Sequence, residues 1–176
     1  DGLFSHGIDA WWCDCTEPFE ADWNGAVRAE PEARLRINTE EGKRYLDPEY
    51  INAYSLLHSQ GIYEGQRAVT AQKRVVNLTR SAYMGQQRYA TITWSGDVVA
   101  TWETLRRQIA DGLNFCVTGM PYWTVDVGAF FVQNKPDLWF WSGDYDDGVD
   151  DMGYRELFVR WFQYATFLPM LRAHGT

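Results

Sequence analysis

Four short apolar runs constrain this chain more than any other feature of its sequence. Residues 8–13, 74–79, 89–94 and 122–127 are rich in aliphatic, aromatic and β-branched side chains. The first three give way within a few residues to chemically able groups, Asp14 and Glu17, Arg80, and Asp97, and the fourth carries Asp126 near its end. Near-continuous hydrophobicity over so short a span fits a strand buried on both faces, as in parallel sheets. Helical segments lie between the runs. Residues 48–60 follow Asp47 and Pro48, a good N-cap and first helical position, and stop at Gly61. Residues 102–111 follow Thr101 and stop at Gly112, and residues 154–167 form an aromatic helix ending before Pro169. Residues 21–47 read as polar and irregular, and a loop rich in Asp and Gly runs to Gly153. Strands alternating with helices predict an α/β fold with a parallel sheet. The first seven residues read as the tail of a helix closed by Gly7, so the chain is expected to begin inside a domain.

In a β/α barrel the active site forms at the carboxyl ends of the strands, where these polar residues fall. A doubly wound sheet places ligands at the same ends, at its switch point. Gly85 and Gly96 lie in neither dinucleotide-binding nor P-loop spacing, which weighs against a nucleotide. A net charge of −8 weighs against binding nucleic acid through a basic surface. No apolar run reaches the roughly 18–20 residues of a membrane span. Cys13-Asp14-Cys15 lacks a second ligand pair, so its thiols read as neutral and packed, and no metal is expected. What remains is a set of carboxylates without a metal cluster, a cofactor loop or a Ser/His/Asp pattern. Such a set suits glycoside hydrolysis, in which one carboxylate attacks the anomeric carbon and a protonated one serves the leaving oxygen, with no cofactor. The two need environments that split their pKa values. Asp14, at the end of a buried strand, suits the ionised role, and Asp97 suits the raised-pKa acid. An Asp after a strand serves equally as a turn or helix-cap residue. Nine Trp suit a sugar site, and they suit a packed core as well.

Residues 7–18, Gly-Ile-Asp-Ala-Trp-Trp-Cys-Asp-Cys-Thr-Glu-Pro, resemble the nucleophile strand of glycoside hydrolase family 31, with its Trp-x-Asp-x-x-Glu pattern. Residues 80–88 and the following Trp94-Ser95-Gly96-Asp97 resemble its acid/base segment. Residues 122–130 resemble its Asp-Ile-Gly-Gly-Phe motif, and residues 169–174 its Pro-x-x-Arg-x-His motif. The resemblance implies part, about half, of a (β/α)8 TIM-type barrel, with residues 1–176 as a C-terminal portion and flanking domains absent. The rest of the parent barrel is then a partner, and the chain alone is expected to be inactive. The implied substrate is an oligosaccharide or small α-glycoside. Asp14 would be the nucleophile and Asp97 the acid/base. Arg80, Asp126 and His174 would contact sugar hydroxyls, and Trp12 and Trp94 would wall the subsite. Trp141-Ser142-Gly143-Asp144 repeats the second motif, but Asp144 lies among other acids and is read as a loop residue. Ala129 replaces the second glycine of the third motif, and Cys15 a larger apolar residue of the first. Asn77-Leu78-Thr79 matches a glycosylation acceptor but falls in a predicted strand. The Thr-Glu-Pro ending of the first motif and residues 63–67 look most like the α-xylosidase branch. An α-glucosidase or α-glucosyltransferase is the alternative, and a non-catalytic sugar-binding relative or inactive truncated remnant is the alternative of another class.

Overall fold

The computed structural model describes residues 2–17 and 28–176. Pro18 of the first motif, and residues 21–27 of the stretch read as irregular, lie outside them. The apolar runs become four strands: β1 (Trp11–Cys13), β2 (Asn77–Thr79), β3 (Thr91–Trp94) and β4 (Trp123–Thr124). They pair in parallel in chain order, β1-β2-β3-β4. Helices α1 (Pro31–Gly42) and α2 (Tyr54–Val69) separate β1 from β2, α3 (Trp102–Val117) separates β3 from β4, and α4 (Met152–Ala165) follows β4. Beyond α4 the chain returns beside β4. Thr124 Oγ1 donates to the Met170 carbonyl at 2.7 Å, and Val127 bridges in parallel to Ala173. Strands that follow each other in space as they do in sequence wind a barrel wall. A doubly wound sheet would reverse its order at a switch point. The fold is therefore part of a TIM barrel.

The core lies where α3 and α4 cover the β4 side of the sheet. Ala100, Val125, Leu157 and Trp161 are completely buried there. Asp151 caps α4 by accepting from the Gly153 and Tyr154 amides, which starts that helix two residues earlier than its aromatic pattern indicates. Asp47 does cap a helical turn, but it is a 3-10 turn (Pro48–Ala53), and α2 begins only after it.

Two glycines read as helix stops are not stops. The backbone of α2 continues through Gly61 to Val69 because a buried glutamine anchors its far end. Gln66 accepts from the Trp11 indole at 2.8 Å and donates to the Arg74 carbonyl at 3.3 Å. Gly112 lies inside α3 for packing reasons. A Cβ there would sit 2.7 Å from Tyr164 Oη and 3.0 Å from Trp123 Nε1, so its absence lets α3 approach α4 and β4. Helix α1 occupies residues read as irregular. Gly42 is its only buried residue, so it has no apolar face to give a period.

The repeated Trp-Ser-Gly-Asp copy is structural. A Cβ on Gly143 would lie 2.1 Å from the Val132 carbonyl oxygen and 2.3 Å from that of Phe131. Gly143→Ala should therefore destabilise the protein by about 3 kcal/mol or more, since backbone must move. Gly61→Ala, with nothing within 4 Å of the new methyl, should stabilise by about 0.5–1 kcal/mol. Denaturant melts of the two variants check this pair, and equal midpoints would contradict it.

Candidate active site

The strand register sets the site. Cys13, Thr79, Thr93 and Trp123 are level across the sheet, so Asp14 and Arg80 leave their strands at the same carboxyl edge, with Trp94 beside them. Two local features aim the acidic turn. Cys15 takes a left-handed φ of 52°, and its amide donates to Asp14 Oδ1 at 2.7 Å. Gly96, at φ 78°, folds the next loop over the aliphatic stem of Arg80, whose Cδ would lie 3.5 Å from a Cβ there.

Arg80 is the centre of the acidic cluster. Its side chain is only 6 % exposed. Its Nη1 lies 3.1 Å from Asp14 Oδ1 and also 3.1 Å from Asp97 Oδ2, and its Nε lies 2.6 Å from Glu17 Oε1. Nη2 donates to the Cys15 sulfur at 3.2 Å. Because one nitrogen contacts both, the Asp14 and Asp97 oxygens are at most twice 3.1 Å apart. That limit on their facing oxygens is compatible with the ~5–5.5 Å separation of a retaining carboxylate pair. The two carboxylates differ in setting. The Asp14 side chain is 42 % exposed and that of Asp97 15 %. Burial pushes the Asp97 carboxyl above its usual range. The Arg80 charge pulls it back, and Asp14 and Glu17 push it further up. Burial is the largest of these effects, so the net direction is upward.

A second cluster adjoins the first. Trp12 is half exposed, whereas Trp94 is buried, and their rings lie 6.2 Å apart. His174 meets Trp12 edge-on at 5.2 Å and lies 5.3 Å from Phe130. The Arg172 guanidinium sits 5.4 Å from the Trp12 ring centre and 5.1 Å from that of Trp94. Arg172 Nη2 reaches Asp126 Oδ1 at 3.4 Å. Asp126 is completely buried, and neither oxygen has a hydrogen bond among the described residues. Burial raises its carboxyl to about 7, against the pull of Arg172. Burial, then Arg172, lowers the His174 imidazole, which favours its neutral form.

The structure thus gathers Asp14, Arg80 and Asp97 into one cluster, and Trp12, Trp94, Asp126 and His174 into the adjoining one. Two residues joined the site without an assigned role in the sequence, Glu17 and Arg172. Both stand inside the motifs already quoted, and their signal was the motif spacing. Asp144 is exposed, and its amide donates to the Ala100 carbonyl. Asn77 is fully buried in β2, which closes the glycosylation pattern. No group of three His, Cys, Asp or Glu able to hold a metal occurs among the described residues.

The raised Asp126 pKa makes a stability prediction. A carboxyl whose folded pKa exceeds its unfolded value of 3.8 holds its proton better when folded. Its contribution is fully present below pH 3.8 and is lost as pH rises through about 7. The melting midpoint of Asp126→Asn, relative to wild type, should therefore rise between pH 4 and pH 8. A difference independent of pH would show that Asp126 is ionised throughout.

Comparison with known proteins agrees with this fold. The glycosyl hydrolases family 31 TIM-barrel domain matches residues 1–176. An alpha-xylosidase of Saccharolobus solfataricus is 47 % identical over 175 residues, which is 99 % of this chain and 21 % of that protein. The alpha-glucosidase of the same organism is 27 % identical over 187 residues, 97 % of this chain and 24 % of that one. The crystal structure of the GH31 alpha-xylosidase from Xanthomonas citri superposes with a TM-score of 0.76 at 35 % identity, covering 99 % of this chain and 17 % of that one. The chain therefore spans about a fifth of the length of these relatives, and it belongs to the TIM-barrel domain of glycosyl hydrolases family 31.

Proposed function

We propose that this chain supplies the catalytic wall of a retaining α-xylosidase, as the C-terminal portion of its barrel. The observation that carries the reading is the single Arg80 nitrogen shared by Asp14 and Asp97. Asp14, more exposed and held on its own loop amide, is the nucleophile. It attacks the anomeric carbon as protonated Asp97 gives its proton to the departing glycosidic oxygen. A covalent xylosyl ester on Asp14 forms and the aglycone leaves. Asp97, now ionised, takes a proton from water, which displaces Asp14 and returns the sugar with its original configuration. The two roles require opposite resting protonation, and burial of Asp97 supplies part of that split.

The remaining residues recognise the sugar. Asp126 is buried with unfilled acceptor positions, a cost that sugar hydroxyls would relieve by donating to it. Arg80 and neutral His174 offer donors, and the Trp12 face offers apolar contact to a pyranose ring. The preference for xylose over glucose rests on the greater similarity to the alpha-xylosidase than to the alpha-glucosidase of the same organism.

A slow-reacting fluorinated α-xyloside, given to the intact enzyme, should leave a covalent sugar on Asp14. Peptide mapping that finds the label on Glu17 or Asp97 would overturn the assignment. Asp97→Ala should lose about 10²–10⁴-fold on poor leaving groups and much less on activated aryl xylosides, with partial rescue by azide. Uniform loss across leaving groups would remove Asp97 as the acid.

A further inference from the structure

The two loops that carry Asp14 and Arg80 are locked by a third residue lying between the acids. Thr16 follows Asp14 by two residues and precedes Glu17, and it is 3 % exposed. Its Oγ1 lies 2.8 Å from Oγ1 of fully buried Thr79. It also accepts from the Ser81 amide at 3.1 Å and lies 2.9 Å from Ser81 Oγ, which reaches the Thr16 carbonyl at 2.9 Å as well. The pairing is reciprocal. Asp14 and Glu17, on either side of Thr16, both bind Arg80. Thr79 and Ser81, the neighbours of Arg80, both bind Thr16.

A hydroxyl has one donor and two acceptor sites. Thr16 Oγ1 accepts from the Ser81 amide and from Ser81 Oγ, whose hydroxyl also reaches the Thr16 carbonyl, and it shares a further hydrogen bond with Thr79 Oγ1. A methyl in place of the hydroxyl would leave the Ser81 amide without its acceptor and break the bond to Thr79. The far side of the Arg80 loop is clamped too. Fully buried Gln86 donates to the Ser81 carbonyl at 2.9 Å and accepts from the Tyr83 amide at 2.8 Å. The Arg80–Ser81 segment therefore has little freedom, and Thr16 ties the acidic turn to it.

We propose that Thr16 is a positioning residue, whose hydroxyl sets the distance of the Asp14 carboxylate from Arg80 and hence from Asp97. The inference rests on the assignment of Asp14 and Asp97 as the reacting pair. It adds a requirement that their chemistry alone does not make: a hydroxyl at position 16. Thr16 touches no sugar in this account. Its loss should slow the attack by Asp14 and leave xyloside binding nearly intact, because a misplacement of about 1 Å at the reacting atoms costs on the order of a hundredfold in rate.

The test uses the intact enzyme with an aryl α-xyloside and a slow-reacting fluorinated α-xyloside. Thr16→Val keeps the shape and removes the hydroxyl, Thr16→Ser keeps the hydroxyl and removes a methyl, and Ser81→Ala removes one arm of the circuit. Thr16→Val should lower kcat and the rate of covalent trapping together, by about 10–100-fold, with KM within about threefold of wild type. Thr16→Ser should restore both rates to within about threefold. Ser81→Ala should fall between, and it carries the test if Thr16→Val fails to fold. Trapping and kcat within twofold of wild type in Thr16→Val or Ser81→Ala, with only the melting midpoint lowered, would make the circuit mere support for the fold. Slow trapping in Thr16→Ser equal to that in Thr16→Val would likewise overturn the proposal. A wild-type enzyme that is not labelled on Asp14 would instead fail the parent assignment, so the two failures are distinguishable.

Discussion

A buried guanidinium needs negative partners, because removing an unpaired charge from water is far more costly than any single packing gain. Arg80 is such a group, and much of the carboxyl edge of the sheet is arranged to satisfy it. Asp14 and Glu17 come from the turn after β1, and Asp97 from the loop after β3. Three loops far apart in sequence are thereby drawn to one point. The parallel register brings the strand ends level, and the Arg80 charge draws the acids inward from there.

The same crowding suits the chemistry proposed for Asp14 and Asp97. Three carboxylates share one cation, so none is fully neutralised, and the most buried of them resists ionisation. A one-to-one ion pair would hold Asp97 ionised and useless as an acid. Next to this cluster, Asp126 has only Arg172 at 3.4 Å and no hydrogen bond among the described residues. A polar group left in that condition is strained until something donates to it, and a sugar ring edge carries such donors. Trp12 stands half exposed beside it, and its ring is steadied by Arg172 and His174.

The strands and the site were legible in the sequence for different reasons. Buried parallel strands show as continuous apolar runs, so all four were found. Their paired lengths were overestimated, because residues such as Val75 and Val125 are buried without belonging to the ladder. Asp14, Arg80, Asp97, Asp126 and His174 stood out because each lies in a motif. Helix ends were misread at Gly61 and Gly112, where a local stop signal was overruled by Gln66 reaching β1 and by the close approach of α3 to Tyr164. Helix α1 gave no period because almost none of it is buried. The Thr16 circuit left no periodic trace either, since hydroxyls 63 and 65 residues apart meet only once the register exists.

The proposal that Asp14 and Asp97 act on one sugar as a retaining pair is the one on which the other assignments rest. The stereochemical course of hydrolysis tests it most directly. Proton NMR of an α-xyloside reaction, followed from the first minutes before the free sugar mutarotates, should show α-xylose forming first. First appearance of β-xylose would mean a single displacement by water, and would contradict the pairing of these two carboxylates across Arg80.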